Sequence, residues 1–182
     1  MLIRHADPVA DAAACAAVYA PFVTDSVASF EYQPPDAAEL GARMRRVGSA
    51  YPWLVAELDG QVVGYAYGSQ HHARAAYRWS ADTAVYISAD HHRRGVGRAL
   101  YGELLPMLRD QGVYIACAGI GLPNPASVRL HESFGFQPVG IYRDIGYKHG
   151  RWWDVGWWQL ALREPTAGEP PAELSPPPRR AG

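Results

Sequence analysis

The chain has 182 residues, 48% apolar and 19% charged, with a formal net charge of −1. That length supports one well-buried domain and is short for two, and the balance is that of a globular protein. A net charge so close to zero excludes electrostatic nucleic-acid binding by the chain as a whole, so any basic patch is local. Cys15 and Cys117 lie in apolar runs and read as buried structural thiols rather than a disulfide. The opening MLIRHADP lacks the apolar core of a signal peptide, and no later stretch is long and apolar enough to span a bilayer. A cytoplasmic protein without membrane contact is expected.

LIRHA reads as a short strand. Asp7 and Pro8 then supply a cap and a first helical residue for an alanine-rich helix to about Val23. Residues 24–35 have no helical period and read as a loop. Asp36 caps a second helix to about Val47, whose Arg43, Arg45 and Arg46 read as a solvated face. Two β-rich runs, 53–58 and 61–67, flank Asp59-Gly60, the clearest hairpin signal in the chain. A loop over 71–79 leads to a strand at 83–88, a helix from Gly95 to about Asp110 and a strand at 113–120. A helix from Asn124 to Phe134 and strands at about 137–147 and 152–162 complete the pattern, which predicts a mixed α/β sheet flanked by helices. From Pro165 onward there are six prolines and no aromatic residue, so 164–182 is expected to be a disordered tail.

The most informative short segment is His91-His92-Arg93-Arg94-Gly95-Val96-Gly97-Arg98, between a strand and a helix. The first N–H groups of a helix lack intrahelical partners, and the helix dipole adds partial positive charge there. Glycines let that backbone approach an anion, and arginines add charge, which together make a pyrophosphate site. The glycines alone would suit an ordinary turn. Three arginines, with a strand before and a helix after, favour binding. No Gly-Lys-Ser/Thr follows, so this is not a Walker A loop.

The segment resembles the acetyl-CoA pyrophosphate loop of the GNAT superfamily, Arg/Gln-x-x-Gly-x-Gly/Ala, with His92 where Gln or Arg usually stands. Further stretches resemble the phosphinothricin N-acetyltransferase-like branch, whose members acetylate glutamate or methionine analogues. They are Ser29-Phe30-Glu31, Tyr51-Pro52-Trp53-Leu54-Val55-Ala56, Gly64-Tyr65-Ala66-Tyr67 and Ala73-Arg74-x-Ala76-Tyr77-x-Trp79. They continue with Gly121-Leu122-Pro123-Asn124, Ser127-Val128-Arg129-Leu130-His131-Glu132, Gly146-Tyr147-Lys148-His149-Gly150 and Asp154-Val155-Gly156-x-Trp158-Gln159. The resemblance implies a GNAT acyl-CoA N-acyltransferase fold over 1–163, with a central twisted mixed sheet. It also implies acetyl-CoA as co-substrate and a small amino acid or analogue as acceptor.

Acetyl transfer to an amine needs a proton acceptor, an oxyanion donor and a proton for the leaving thiolate. The resemblance makes Asp82 the candidate base, just before the strand at 83–88. Glu usually stands there, and the shorter Asp favours a water relay. His131 occupies the position of a general acid toward the sulfur, and histidine suits proton transfer near neutrality. A structural hydrogen-bonding role is the commoner fate of a lone helical histidine. Backbone groups of Val85, Tyr86 and Ile87, on a splayed or bulged strand, would hold the thioester oxygen and pantetheine arm. Arg93, Arg94, Gly95, Val96, Gly97 and Arg98 would hold the pyrophosphate. Asn124 and Ser127 would meet the pantetheine, although capping accounts for Asn124 equally well. Arg74 and Tyr77 are placed as a carboxylate-binding pair, for which the guanidinium fork is suited. Phe30 would wall the acceptor pocket, from its own or a neighbouring subunit.

The pairs His71/His72 and His91/His92 lack the i, i+4 geometry of a helical metal site, and no Cys or carboxylate set accompanies them in sequence. No metal is expected. The tryptophan-rich run 151–158 puts rings on both faces of a strand, and one face free for a partner favours a homodimer. Other readings stay open at this point: a non-catalytic acetyl-CoA-binding module, or an acetyltransferase for peptide N-termini or polyamines. Nucleic-acid binding through Arg93, Arg94 and Arg98 would demand a steep salt dependence, which near-zero net charge argues against.

Overall fold

Asp59 and Gly60 have φ of 51° and 78°, the left-handed pair that matches the right-handed twist of a hairpin. They join the strands Trp53–Leu58 and Gln61–Gln70, as the Asp-Gly signal predicts. The computed structural model describes residues 1–178. Its strands are β1 (Leu2–His5), β2 (Trp53–Leu58), β3 (Gln61–Gln70), β4 (Ser80–Ile87), β5 (Ile115–Gly121), β6 (Gln137–Lys148) and β7 (Arg151–Ala161). The helices are α1 (Ala12–Thr24), α2 (Ala37–Gly48), α3 (Val96–Gln111) and α4 (Pro125–Ser133). All seven strands form one sheet in the order β1-β2-β3-β4-β5-β7-β6. Neighbours are antiparallel except β4 and β5, which are parallel and need α3 as their crossover. This is the mixed sheet with flanking helices that the pattern predicts.

Strand periodicity sorts the apolar residues into two layers. Trp53 and Val55 join Cys15, Val23, Leu40, Met44 and Tyr65 under α1 and α2. The alternate residues Leu54 and Ala56 join Leu100, Tyr101, Leu104, Leu108 and Phe136 under α3. A strand buried on both faces reads as a continuous apolar run, which is what 53–56 is. Both cysteines are free and buried, Cys15 among the apolar side chains under α1 and α2.

Helix boundaries follow the caps. Asp36 Oδ1 accepts from Glu39 N–H at 2.8 Å, and Asn124 Oδ1 from Ser127 N–H at 3.1 Å. At the first helix the structure differs from the sequence reading. Asp7 Oδ1 does accept from Val9 and Ala10 N–H groups, but this caps a separate turn, and regular helix begins only at Ala12. Asp11 is the reason. Its carboxylate takes the fork of Arg4 at 2.7 and 2.8 Å and the Asp7 N–H at 2.7 Å, which ties the start of α1 to β1.

Arg43 also departs from the reading as a solvated residue. Its guanidinium grips both oxygens of Glu31, at 2.7 and 2.8 Å, and also bonds Glu39. It thus pins the loop after α1 to α2, while Arg45 and Arg46 are exposed. Residues 164–178 form no helix or strand. Glu173 pairs with Arg78, the Ala172 carbonyl accepts from Trp79 Nε1 at 2.8 Å, and Ser175 N–H donates to the Gln111 carbonyl at 2.8 Å. Residues 179–182 of the expected tail lie outside the described residues. No described helix is long and apolar enough to cross a membrane.

Candidate active site

β4 pairs with β5 only at Ser80–Ile115, Ala81–Ala116 and Asp82–Cys117. From Thr83 onward β4 keeps its partner β3 in continuous register, while β5 stays with β7. The strands therefore splay, without a bulge in β4, and residues 83–87 have no strand partner on one side. Unpaired backbone groups of this kind need another partner, and a ligand can supply it.

A crevice of about 600 Å³ opens in the gap. Its walls come from β4 residues 83–87, the turn and first residues of α3, Gly119–Gly121, and the start of α4. Of the sequence candidates for cofactor binding, Val85, Tyr86, Ile87, Arg93, Gly95, Val96, Gly97, Arg98, Asn124 and Ser127 all line it, and so does His131. Arg94 is exposed on the same turn but is not part of the wall.

The turn into α3 leaves backbone donors without a side-chain cap. Gly95 has φ of 81°, with open space where a side chain would project, and no side chain caps the helix. Its first N–H groups remain available, with the positive end of the dipole behind them. Gly97 answers a different need. A Cβ there would lie 2.9 Å from Ile87 Cδ1 and 3.0 Å from Leu130 Cδ2, so glycine lets α3 close on β4 and α4. His92 Nε2–H donates to the Ile87 carbonyl at 2.9 Å, tying the turn to the end of β4. Arg129 joins Arg93 and Arg98 along the crevice. Its sequence motif points to His131 instead and gives Arg129 no role. No Asp or Glu is among the lining residues, which suits an anionic ligand.

Asp82 lies inside β4 rather than before it, because the strand starts at Ser80. It occupies the last parallel pair before the strands part, next to Thr83 on the crevice wall. Burial raises its carboxyl above the usual range, and a hydrogen bond from His71 partly offsets this. His71 Nδ1 lies 2.7 Å from Asp82 Oδ1. The Cys117 sulfur is close as well, with one ligand atom from each of the three residues lying within 4.8 Å of the others. His71 thus does have a carboxylate and a thiol beside it, contrary to the sequence reading. The grouping has no signature in sequence because the three residues come from separate parts of the chain. Burial pushes the Cys117 thiol up to about 11, so it stays protonated and poorly nucleophilic at neutral pH.

His131 is 3% exposed. Its Nδ1 lies 2.8 Å from the Ser127 carbonyl and must donate there, so Nε2 accepts from the Tyr101 hydroxyl at 2.9 Å. Burial lowers its pKa, which favours the neutral imidazole, and the hydrogen bond to the Ser127 carbonyl partly opposes this. Asn124 makes the capping bond described above, so its side-chain oxygen is engaged within α4.

The acceptor-side candidates are more dispersed. Phe30 packs over Gly146 of β6 in its own chain, its ring occupying the space a Cβ would fill, and it approaches Gly121. The loop bearing it is held by Lys148, 3% exposed, whose ammonium donates to the carbonyls of Ser26 at 2.9 Å and Ser29 at 2.6 Å. Lys148 was not a sequence candidate, and nothing local signals a lysine that bonds 119 residues away. Arg74 precedes the 3₁₀ turn Ala75–Tyr77, is exposed, and has no side-chain partner among the described residues. Tyr77 is half exposed, its ring 4.9 Å from His72 and 6.3 Å from His71. Neither Arg74 nor Tyr77 lines the crevice. Trp157 covers Gly119, and its buried Nε1 has no acceptor among the described residues.

A parallel pair that parts, with an uncapped helix start facing the crevice so formed, is an arrangement that suits a long anionic ligand. Residues 6–157 match the acetyltransferase (GNAT) domain, and the chain belongs to that family. It is 42% identical over 161 residues to a phosphinothricin N-acetyltransferase of Streptomyces viridochromogenes, covering 88% of each chain. It is 35% identical to an L-methionine sulfoximine/L-methionine sulfone acetyltransferase of Salmonella typhimurium, over 92% of this chain and 98% of that one. Among solved structures, a phosphinothricin acetyltransferase from Sinorhizobium meliloti in complex with AcCoA is similar with a TM-score of 0.90. That likeness is at 36% identity and covers 96% of this chain and 95% of the other. The chain is accordingly an acetyltransferase with the GNAT fold.

Proposed function

We propose that this protein transfers the acetyl group of acetyl-CoA directly to the α-amino group of a small amino acid or analogue, of the phosphinothricin or methionine sulfoximine/sulfone type. The observation that carries the reading is the crevice between β4 and β5. It has the uncapped start of α3 on one wall and leads to Asp82 where the strands meet. The solved relative with AcCoA and the substrates named for the relatives support it.

In this reading the N–H groups starting α3, with Arg93 and Arg98, bind the pyrophosphate. The unpartnered backbone of 85–87 holds the pantetheine arm and meets the developing oxyanion. Asp82 serves amine deprotonation, since an α-amino group is largely protonated at neutral pH. Attack is direct, because the protonated Cys117 is not a ready acyl carrier. His131 protonates the departing sulfur only if Nε2 carries a proton, which requires the Tyr101 hydroxyl to turn away. Arg74 and Tyr77 bind the acceptor carboxylate in this scheme. Exposed Val139, Ile141 and Ile145 on the edge strand β6 support a homodimer built on that face.

Thiol release from acetyl-CoA, followed with phosphinothricin, L-methionine sulfone, L-methionine sulfoximine, the common amino acids and polyamines, tests the function. Turnover is expected on the amino-acid analogues, and Arg74→Ala should raise their KM about 10-fold or more with little change toward acetyl-CoA. Turnover confined to polyamines, or acetyl-CoA binding without any turnover, would overturn the proposal.

A further inference from the structure

The side chain of His71, from the segment between β3 and β4, reaches the Asp82 carboxylate. Its Nδ1 lies 2.7 Å from Asp82 Oδ1, and since an ionised carboxylate only accepts, Nδ1 carries the proton. Nε2 is then a lone-pair acceptor, and it makes no hydrogen bond among the described residues. The ring is held on its faces and edges by His72 at 4.3 Å, Trp157 at 5.9 Å and Tyr77 at 6.3 Å. Trp157 also covers Gly119, which lines the crevice, and Asp82 adjoins Thr83 on the opposite wall. Neither the His71 nor the Asp82 side chain is part of the crevice wall; the pair stands beside it, where β4 and β5 part next to Thr83 and Gly119.

We infer that His71 takes the proton from the acceptor's ammonium, with Asp82 as the positioning residue that fixes its imidazole in the Nδ1–H tautomer. This rests on the acetyltransferase reading above and deepens it. One ammonium N–H bond breaks toward His71 Nε2, leaving an imidazolium against the Asp82 carboxylate. The freed nitrogen lone pair forms the C–N bond to the acetyl carbon, and the C–S bond breaks. The second nitrogen proton ends on the thiolate to give the thiol, and His71 returns its own proton to water. A carboxylate that orients an imidazole is a recurring way to prepare a base, because it sets the tautomer and stabilises the cation that forms.

The other titratable groups near the pair are Cys117 from β5, His72 and Tyr77 from the connecting segment, and the hydroxyls of Tyr51 and Tyr67. Burial keeps the Cys117 thiol and the Tyr51 and Tyr67 hydroxyls protonated. Asp82 is the only carboxylate bonded to His71 among the described residues.

The test compares the full chain with His71→Gln, Asp82→Asn and the double variant, using the acceptor that wild type turns over best. His71→Asn repeats the measurement with a smaller side chain. Each single change should lower kcat on the order of 10²-fold, and the double should be no worse than the poorer single, as for residues that act as a unit. The deficit should shrink as pH approaches the acceptor's own ammonium pKa, because a free amine needs no base. Calorimetric acetyl-CoA affinity should not move. Nitrogen-15 NMR of the imidazole should show the Nδ1–H tautomer in wild type and its loss in Asp82→Asn. Wild-type kcat in His71→Gln alongside an inactive Asp82→Asn would overturn the inference. Activity lost to a chelator and restored by Zn²⁺ would also overturn it, since His71, Asp82 and Cys117 would then be metal ligands. A wild type that turns over no acceptor, yet shows the Nδ1–H tautomer, would sink the acetyltransferase reading and the proton-transfer role while leaving the hydrogen-bonded pair in place.

Discussion

Burial holds the His131 imidazole below its ordinary range, while the Ser127 carbonyl keeps its proton on Nδ1. An unfolded histidine titrates near about 6.5. Below that pH the unfolded chain takes a proton that the folded chain refuses, so stability falls as pH drops toward the lower folded value, and this loss then ends. Asp82 acts in the opposite sense in the carboxylate range. Its raised folded pKa makes the folded chain the stronger proton binder there, so its contribution falls as pH rises. Urea midpoints measured against pH for wild type and His131→Gln separate the two. Wild type should lose stability on acidification below about pH 6.5 and the variant should be flatter over that interval. Parallel profiles would show that His131 is not held neutral by the fold. The same bonding engages both ring nitrogens, the structural fate that the sequence reading weighs against a general acid.

Elements matter here chiefly through how they are tied. The loop between α1 and α2 carries Phe30 and has no periodic structure of its own, yet it is fastened on either side of Phe30. Arg43 holds Glu31 from α2, and Lys148 holds Ser26 and Ser29 from the end of β6. Lys148→Met keeps much of the aliphatic bulk and leaves two carbonyls without their donor. Unmade buried hydrogen bonds cost about 1–3 kcal/mol each, so a loss on the order of 2 kcal/mol is expected by chemical denaturation. A rise in acceptor KM with unchanged acetyl-CoA affinity should accompany it, because the loop meets β5 and β6 rather than the start of α3. Unchanged stability would mean that water replaces the ammonium without cost. The start of α3 follows a different rule, in which conformation rather than attachment is decisive. Gly95 supplies the left-handed residue and Gly97 the close approach, and together they leave the helix N-terminus facing the crevice.

For the whole molecule, the sheet order decides what is exposed. β6 is an edge strand, and Val139 (61%), Ile141 (45%) and Ile145 (56%) are accessible on it, with Tyr142 and Trp152 near them. An edge with that much apolar surface is a pairing hazard unless something covers it. A second copy is the proposed cover. Wild type should sediment at about twice 19.9 kDa, and Ile141→Glu combined with Ile145→Glu should shift it toward the single-chain mass. A monomeric wild type would sink the proposal. The start of β4 and the end of α3 are covered by the chain itself, since residues 172–175 reach Arg78, Trp79 and Gln111. Leu174 packs against the core there. Proline-rich composition describes how a segment behaves alone, and it is silent about one apolar residue finding a site.

Features that depend on near neighbours along the chain are legible in the sequence itself. The Asp59-Gly60 turn, the Asp36 and Asn124 caps, the apolar run 53–56 and the basic glycine turn at 92–98 all act within a few residues, so their chemistry is written locally. Family motifs spread along the chain point to the acetyltransferase class for the same reason: each is a short local pattern. Where distant segments meet is a matter for the tertiary fold alone. The crevice exists because β4 and β5 part after one particular pair. His71 reaches Asp82 because a segment between two antiparallel strands folds back over the second of them. Lys148 is buried because its loop partners lie more than a hundred residues earlier. Strand register and long-range packing set these contacts, and neither has a signature in a window of sequence.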